Sequence, residues 1–247
     1  ASGCTDTAAV TITQDISKPD ISAAGGTLTC VQTVVTLSGA SSTPGATYAW
    51  AGPGGFANGL PSPVVNISGT YSLTVTNPTN GCTSTATTTV ALNKTLPLVS
   101  TTTATLTYAQ PTAVIRGSAN APGATYVWAG PGGNQISNVQ QAMVNVQGVY
   151  TVTATNPANG CTGTATTTVL ENKMPPAAAI ATPSGTVLNC LVSGIILKAT
   201  GGGTYAWSGG LGSGQNVIVS QQGAYAITVT DPANGCTASQ KVSVREK

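Results

Sequence analysis

Apolar and polar residues alternate with a period of two through three separated stretches. Tyr71, Leu73 and Val75 alternate with Ser72, Thr74 and Thr76, and the pattern recurs as Tyr150, Val152, Ala154 and as Tyr225, Ile227, Val229. A period of two sends one side of a strand inward and the other to solvent. Asn77-Pro78-Thr79-Asn80-Gly81 is turn chemistry, and the β-branched run Thr83 to Val90 behind it predicts the return strand of a hairpin. Upstream in each copy, Val35-Thr36-Leu37, Ala113-Val114-Ile115 and Ile195-Ile196-Leu197 predict another strand. Pro44-Gly45 and Pro122-Gly123 then turn the chain into a strand that carries tryptophan. With no helical period, short strands and turn signals every ~8–12 residues predict a β-sandwich.

The sandwich pattern occurs three times. Trp50, Trp128 and Trp207 recur at spacings of 78 and 79, and Cys4, Cys82, Cys161 and Cys236, each after a glycine, at 78, 79 and 75. The phrases Thr47-Tyr48-Ala49-Trp50 and Gly69-Thr70-Tyr71 return in the same register, so the chain is a tandem array. The expected organisation is residues 1–13 as the last strand of a preceding repeat, then repeat one at 14–93, repeat two at 94–172 and repeat three at 173–247. An initial strand, a Trp strand and a Gly-x-Tyr strand resemble, in that order, immunoglobulin-like sandwiches with their core Trp and tyrosine corner. The fold class is therefore all-β, tandem immunoglobulin-like β-sandwich repeats of about 75–79 residues. Trp50, Trp128, Trp207, Tyr71, Tyr150 and Tyr225 are the expected core anchors.

Composition narrows the chemistry. Only 8 basic and 6 acidic residues occur in 247, and histidine is absent. The usual general base and the commonest metal ligand are thus missing. The acids Asp6, Asp15, Asp20, Glu171, Asp231 and Glu246 are too scattered for a hydrolytic pair, so no catalytic residue and no enzyme is expected. A net charge of +2 gives no nucleic-acid footprint. No run of ~18 apolar residues predicts direct membrane insertion, and 42 threonines carry much of the solubility.

The cysteines carry the remaining chemistry. Within repeats one and three, an early cysteine and the Asn-Gly-Cys cysteine predict disulfides Cys30–Cys82 and Cys190–Cys236. Each closes roughly 50 residues, worth on the order of 4 kcal/mol in the loop-entropy model, and calls for an oxidising, extracytoplasmic setting. Repeat two has Tyr108 in place of its first cysteine, so Cys161 is expected unpaired within the chain, as a buried thiol against Tyr108 or in an intermolecular bridge. Cys4 is expected to pair upstream, outside this chain. Zinc competes poorly without histidine or a Cys-x-x-Cys knuckle, so no metal or other cofactor is expected. Nine of the fourteen charges and Pro19, Pro97, Pro175 and Pro176 lie in junctions or the tail, which suggests semi-rigid connections. Asp15 and Asp20 could contribute to an interdomain calcium site, but two carboxylates without a third favour ordinary solvated charges. The tryptophans beside Gly-rich loops (129–133 among them) also raise carbohydrate stacking, against which their identical place in every unit argues for core.

Tyr-x-Trp, Gly-x-Tyr-x-Leu/Val/Ile and Asp/Asn-Pro-x-Asn-Gly-Cys-Thr together resemble the SprB-type repeats of Bacteroidota surface adhesins exported by the type IX secretion system. Val229-Thr230-Asp231-Pro232-Ala233-Asn234-Gly235-Cys236 is the nearest copy. The resemblance implies an extracellular, bacterial cell-surface location and a stalk or adhesive role in gliding motility or attachment. Asp6-Thr7-Ala8 resembles the O-glycosylation triplet of that phylum, at Thr7. The expected function is a structural spacer in a large surface adhesin or fibre, with neighbouring repeats of the same or a longer chain as partners. The alternatives are a filament subunit whose strand 1–13 complements another copy, and a module that binds surface glycans.

Overall fold

A computed structural model of the protein describes residues 2–247. Two compact units divide the chain: one runs to Pro97 and takes in Thr155–Thr162, and the other holds Leu98–Ala154 and Gly163–Lys247. Three separate hydrophobic cores lie along it, one per repeat.

Repeat one contains β1 (Ser22–Ala24), β2 (Gly26–Leu28), β3 (Val35–Thr36), β4 (Ser38–Ala40), β5 (Thr47–Gly52), β6 (Phe56–Asn58), β7 (Val64–Val65), β8 (Gly69–Thr76) and β9 (Thr83–Leu92). One sheet has the order β2-β9-β8-β5-β6, and the pairs β1-β4 and β3-β7 make the other layer. Repeat two contains β10 (Val99–Thr101), β11 (Ala104–Thr107), β12 (Ala113–Ala119), β13 (Thr125–Ala129), β14 (Gln135–Ser137), β15 (Gln141–Val144), β16 (Gly148–Thr155) and β17 (Thr162–Asn172), in sheets β10-β12-β15 and β11-β17-β16-β13-β14. Repeat three contains β18 (Ala179–Ala181), β19 (Val187–Leu188), β20 (Ile195–Thr200), β21 (Thr204–Trp207), β22 (Asn216–Val219), β23 (Gly223–Thr230) and β24 (Thr237–Glu246), in sheets β18-β20-β22 and β19-β24-β23-β21. Two facing, mainly antiparallel layers with a Trp strand beside a Tyr strand are the immunoglobulin-like sandwich.

The period-two residues do what the pattern demands. Tyr71, Leu73 and Val75 of β8 point into the first core together with Trp50, Leu37 and Val90. In each repeat the tyrosine hydroxyl bonds a carbonyl four residues upstream: Tyr71 to Ile67 at 2.8 Å, Tyr150 to Val146 at 2.7 Å and Tyr225 to Gln221 at 2.8 Å. This is the tyrosine corner that fixes entry into the strand. Tyr71 and Tyr150 are buried, whereas Tyr225 is only half-buried. Burial pushes the Tyr71 phenol up. Two residues after each tyrosine, where antibody domains carry a core cysteine, stand the fully buried Leu73, Val152 and Ile227.

All three tryptophans are buried. The indole of Trp128 donates to Gln140 O at 3.3 Å and that of Trp207 to Gly214 O at 2.8 Å. Trp50 Nε1 is buried with no partner among the described residues. With their rings inside the sandwiches, none of the three can stack a sugar.

The chain start departs from expectation. Residues 2–13 form no strand and are exposed, and Ala1 lies outside the described residues. The segment has the alternation of a strand but no ladder partner among the described residues, and a strand exists only through its ladder.

Short elements also escaped the pattern. β2, β11 and β19 pair in parallel with the ends of β9, β17 and β24, with Leu28 opposite Leu92 and Leu188 opposite Glu246. Segments of two to four residues carry too little periodicity to be read alone.

Candidate functional site

Three local pieces recur at one place in each repeat: a four-residue turn, a linker and a hairpin tip. The turn follows the parallel strand. In Thr29-Cys30-Val31-Gln32, Thr29 N donates to Gln32 O at 2.9 Å and Gln32 N to Thr29 Oγ1 at 2.9 Å. Thr107-Tyr108-Ala109-Gln110 closes the same way, at 3.0 and 2.9 Å. In Asn189-Cys190-Leu191-Val192 the side-chain amide oxygen of Asn189 replaces the hydroxyl, accepting from Val192 N at 2.9 Å. Threonine and asparagine at the first position supply the acceptor that holds a turn without longer structure.

The tip is the loop Asn/Asp-Pro-x-Asn-Gly-Cys. Its first side chain caps the backbone two residues on: Asn77 accepts from Thr79 N, Asn156 from Ala158 N and Asp231 from Ala233 N, all at 2.9–3.0 Å. Its second asparagine accepts from the cysteine amide, as Asn80 does from Cys82, Asn159 from Cys161 and Asn234 from Cys236. The intervening Gly160 sits at φ +68°, and a Cβ there would come within 2.4 Å of Val31. Glycine is therefore demanded twice at this position, by dihedral and by close approach.

The amide nitrogen of that second asparagine reaches the linker before its own repeat. Asn159 Nδ2 donates to Asn93 Oδ1 at 2.9 Å and Thr95 O at 3.0 Å. Asn234 Nδ2 donates to Asn172 Oδ1 at 3.1 Å and Met174 O at 2.9 Å. Asn80 Nδ2 donates to Ser17 O at 3.0 Å. Asn159 and Asn234 are 2% and 1% exposed, so each is a buried amide with its oxygen and nitrogen both satisfied. Such groups are costly to truncate, because partners are left unpaired in a dry site.

The tip of one repeat also meets the turn of the repeat before it. Cys30 N donates to Asn159 O at 3.1 Å, and Cys30 and Cys161 form a disulfide with Cα atoms 5.1 Å apart, 131 residues apart in sequence. This corrects the expected pairing. Cys30 lies beyond the Leu92 end of β9 and Cys82 just before its Thr83 end, so the ten-residue strand separates them by roughly 30 Å. A disulfide needs Cα atoms within about 7 Å. The same geometry separates Cys190 from Cys236 across β24. Cys161 is thus not the unpaired thiol expected, and Tyr108 is 69% exposed and does not cover it. Cys4, Cys82, Cys190 and Cys236 are free among the described residues.

Turn two receives the third tip without sulfur. Ala109 N donates to Asn234 O at 3.0 Å, one residue later than in turn one, and Gly235 lies against Ala109. Cys236 is buried opposite a turn that offers tyrosine instead of cysteine.

The two junction acids serve the backbone. Asp15 accepts from Ser17 N at 3.0 Å, and that amide, the Ser17 hydroxyl and the Asn80 side chain hold its carboxyl below the ordinary range. Asp20 accepts from Ser42 N and the Ser41 hydroxyl, which lower it likewise. Thr7 is exposed in the segment without regular structure. The Gly-rich loop of repeat two borders a shallow cleft lined by Pro131, Ile136, Met143, Val146 and Tyr150, with no charged side chain. The paired asparagines were missed by sequence reading, although Asn93-Lys94 and Asn172-Lys173 recur at the register of the tip asparagines.

No family model and no curated protein matches the chain. Among solved structures it is similar to the three N-terminal domains of the highly immunogenic outer capsid protein of bacteriophage RB49, at 13% identity over 93% of this chain and 99% of that one, with a TM-score of 0.45. Domains 1–5 of Sidekick-1, described as immunoglobulin domains, share 14% identity over 93% of this chain and 59% of that one, with a TM-score of 0.37. Extracellular domains 3–5 of Drosophila OTK share 15% over 96% and 95%, with a TM-score of 0.32. The immunoglobulin-like assignment rests on the strand order, core tryptophan and tyrosine corner of each repeat.

Proposed function

We propose that the chain is a structural spacer in a large extracellular surface adhesin or fibre of the SprB type, whose work is reach and mechanical continuity. The observation that carries this reading is the Cys30–Cys161 bridge, which links consecutive repeats instead of sealing one. A protein that needs only stable domains gains from bridges within each domain; a bridge across a junction resists separation of neighbours. The bridge also favours an oxidising compartment outside the cytoplasm. A spacer built of three such sandwiches, each about 35–40 Å long, calls for a length on the order of 110 Å. Small-angle scattering of the monomer tests this. A maximum dimension near that value supports the spacer, and a radius of gyration near ~18 Å, that of a compact globule of this length, refutes it.

A second reading is a filament in which the 1–13 segment completes another copy's sandwich. It is favoured by Val10 and Ile12, alternating and 85% and 91% exposed without a partner strand. Deleting residues 2–13 should then abolish concentration-dependent association; unchanged association removes the reading.

A further inference from the structure

The residue after the double glycine that follows the Trp strand is apolar in two repeats and polar in one. Gly52-Pro53-Gly54-Gly55 leads into Phe56 and Gly209-Gly210 into Leu211, whereas Gly130-Pro131-Gly132-Gly133 leads into Asn134. Strand register makes Phe56 and Asn134 equivalent, because the next residue, Ala57 or Gln135, stands opposite Ala51 or Ala129. Phe56 and Leu211 pack on the cores of their own repeats. The Phe56 ring meets the Tyr71 ring edge-on, with centroids 5.5 Å apart. In repeat two no ring covers Tyr150 in this way among the described residues. A cleft of about 220 Å³ opens there instead, between β14 and β15, walled by Pro131, Ile136, Met143 and Val146. Ile136 is the extra residue of a bulge, where Ser137 faces Trp128 and Gln135 faces Ala129, and it joins the wall without entering the core. A closed apolar cavity of ~150 Å³ is enough to take up benzene. The cleft therefore has room for one ring in the place that Phe56 fills in repeat one.

We infer that this cleft binds a phenylalanine side chain carried on an uncharged, extended segment of a partner protein. Phe56 seated against Tyr71 shows that the same framework accepts a phenyl ring edge-on, a favoured arrangement for two aromatic rings. No charged side chain lines the cleft, so a charged occupant would give up hydration without finding a counter-charge. β14 and β15 each lie at the end of their sheet. Both margins of the cleft thus offer backbone to an extended chain, whose main-chain hydrogen bonds add to the hold on the anchoring side chain. Asn134 and Asn145, exposed at the rim, supply side-chain amides for the same backbone. The cleft lies within one sandwich, so its occupancy does not depend on the spacer reading.

The chain has two methionines, Met143 in the cleft wall and Met174 outside it, so NMR of isotope-labelled methionine methyls in the full chain reads the site against an internal control. The probe is a blocked, uncharged pentapeptide of serine and threonine with phenylalanine at its centre. The Met143 methyl signal should move saturably with peptide while that of Met174 stays in place, and the same peptide with central alanine should move neither. N-acetyl-phenylalaninamide, which has the ring without the extended backbone, should bind about tenfold more weakly, the worth of one or two main-chain hydrogen bonds. Val146→Asp, at an exposed wall position, should weaken the peptide about tenfold or more, because its carboxylate must lose water as the ring seats. Asn134→Phe should put its own ring in the cleft, shift Met143 without peptide and abolish the response to it. Equal responses of Met143 and Met174, an alanine peptide or a methyl glucoside that moves Met143 as far as the phenylalanine peptide does, a free amide that binds as tightly as the peptide, or native affinity in Val146→Asp or in Asn134→Phe overturns the inference.

Discussion

Pulling the chain by its two ends makes the Cys30–Cys161 bridge directly measurable. Force entering at the start passes along the backbone to Cys30, crosses the disulfide to Cys161, and continues to the end. The 131 residues of sequence separation between the two cysteines are bypassed. Of 247 residues only about 116 can then extend. At ~3.5 Å per extended residue, the oxidised chain should reach a contour length of roughly 400 Å and the reduced chain roughly 860 Å. Load strips β1 and β2 from repeat one and β17 from repeat two, yet what they leave behind lies inside the bypassed loop and releases no length. Repeat three holds no bridge and should extend fully in both states. Single-molecule force spectroscopy with and without reductant reads the difference of roughly 460 Å. Equal lengths in both states would refute the bridge. A reductant-dependent gain of about 170 Å from each of repeats one and three, the signature of ~50-residue loops closed within a repeat, would restore the pairing that spacing alone suggests.

The remaining predictions concern the junctions. Tyr108→Cys places a cysteine where turn one has Cys30, so it should bridge to Cys236; thiol titration of the oxidised variant should find four fewer free thiols than its reduced form, against two fewer for the unaltered chain with its Cys30–Cys161 bridge alone, and a Cys236 still open to alkylation after unfolding would count against the equivalence of the junctions. Asn234→Ala removes one buried amide that satisfies Cys236 N, Asn172 Oδ1 and Met174 O, and should destabilise repeat three by about 1–3 kcal/mol, followed by Trp207 fluorescence in urea. Asn159→Ala removes the matching contacts beside a disulfide that still holds the tip, so its loss should grow when the bridge is reduced; a loss insensitive to reductant would mean that the bridge does not support the clasp. The Asp20 carboxyl is lowered chiefly by the Ser42 amide, so its folded pKa lies below the unfolded value of about 3.9. Its contribution is complete above that value and is lost as pH falls through the folded pKa. Asp20→Asn should therefore flatten the acid limb of the stability curve and leave it unchanged in slope near neutrality, as thermal melts from pH 2 to 7 would show.

Much of the fold was legible because its signals are local. Tyr71, Leu73 and Val75 declare a half-buried strand by their spacing, and the Asn-Pro-x-Asn-Gly phrase carries its own Asx turn and positive-φ glycine. Repetition then multiplies each weak signal by three and fixes the tryptophans and tyrosines at one place per sandwich. The junction was not legible for the opposite reason. Equal cysteine spacing in repeats one and three pointed to pairing within a repeat, and nothing in the spacing shows that β2 runs parallel to β9. That register sends Cys30 to one end of the sandwich while the hairpin turn leaves Cys82 at the other. Whether two cysteines meet is set by where strands end in space, and here the end of one repeat meets the hairpin tip of the next. The sequence by itself determined the β class, the repeat and the core residues, since side-chain period and turn propensity act over a few residues. Only the tertiary structure decided the Cys30–Cys161 pair and the asparagine clasp, which join residues sixty or more positions apart through contacts that no local pattern encodes.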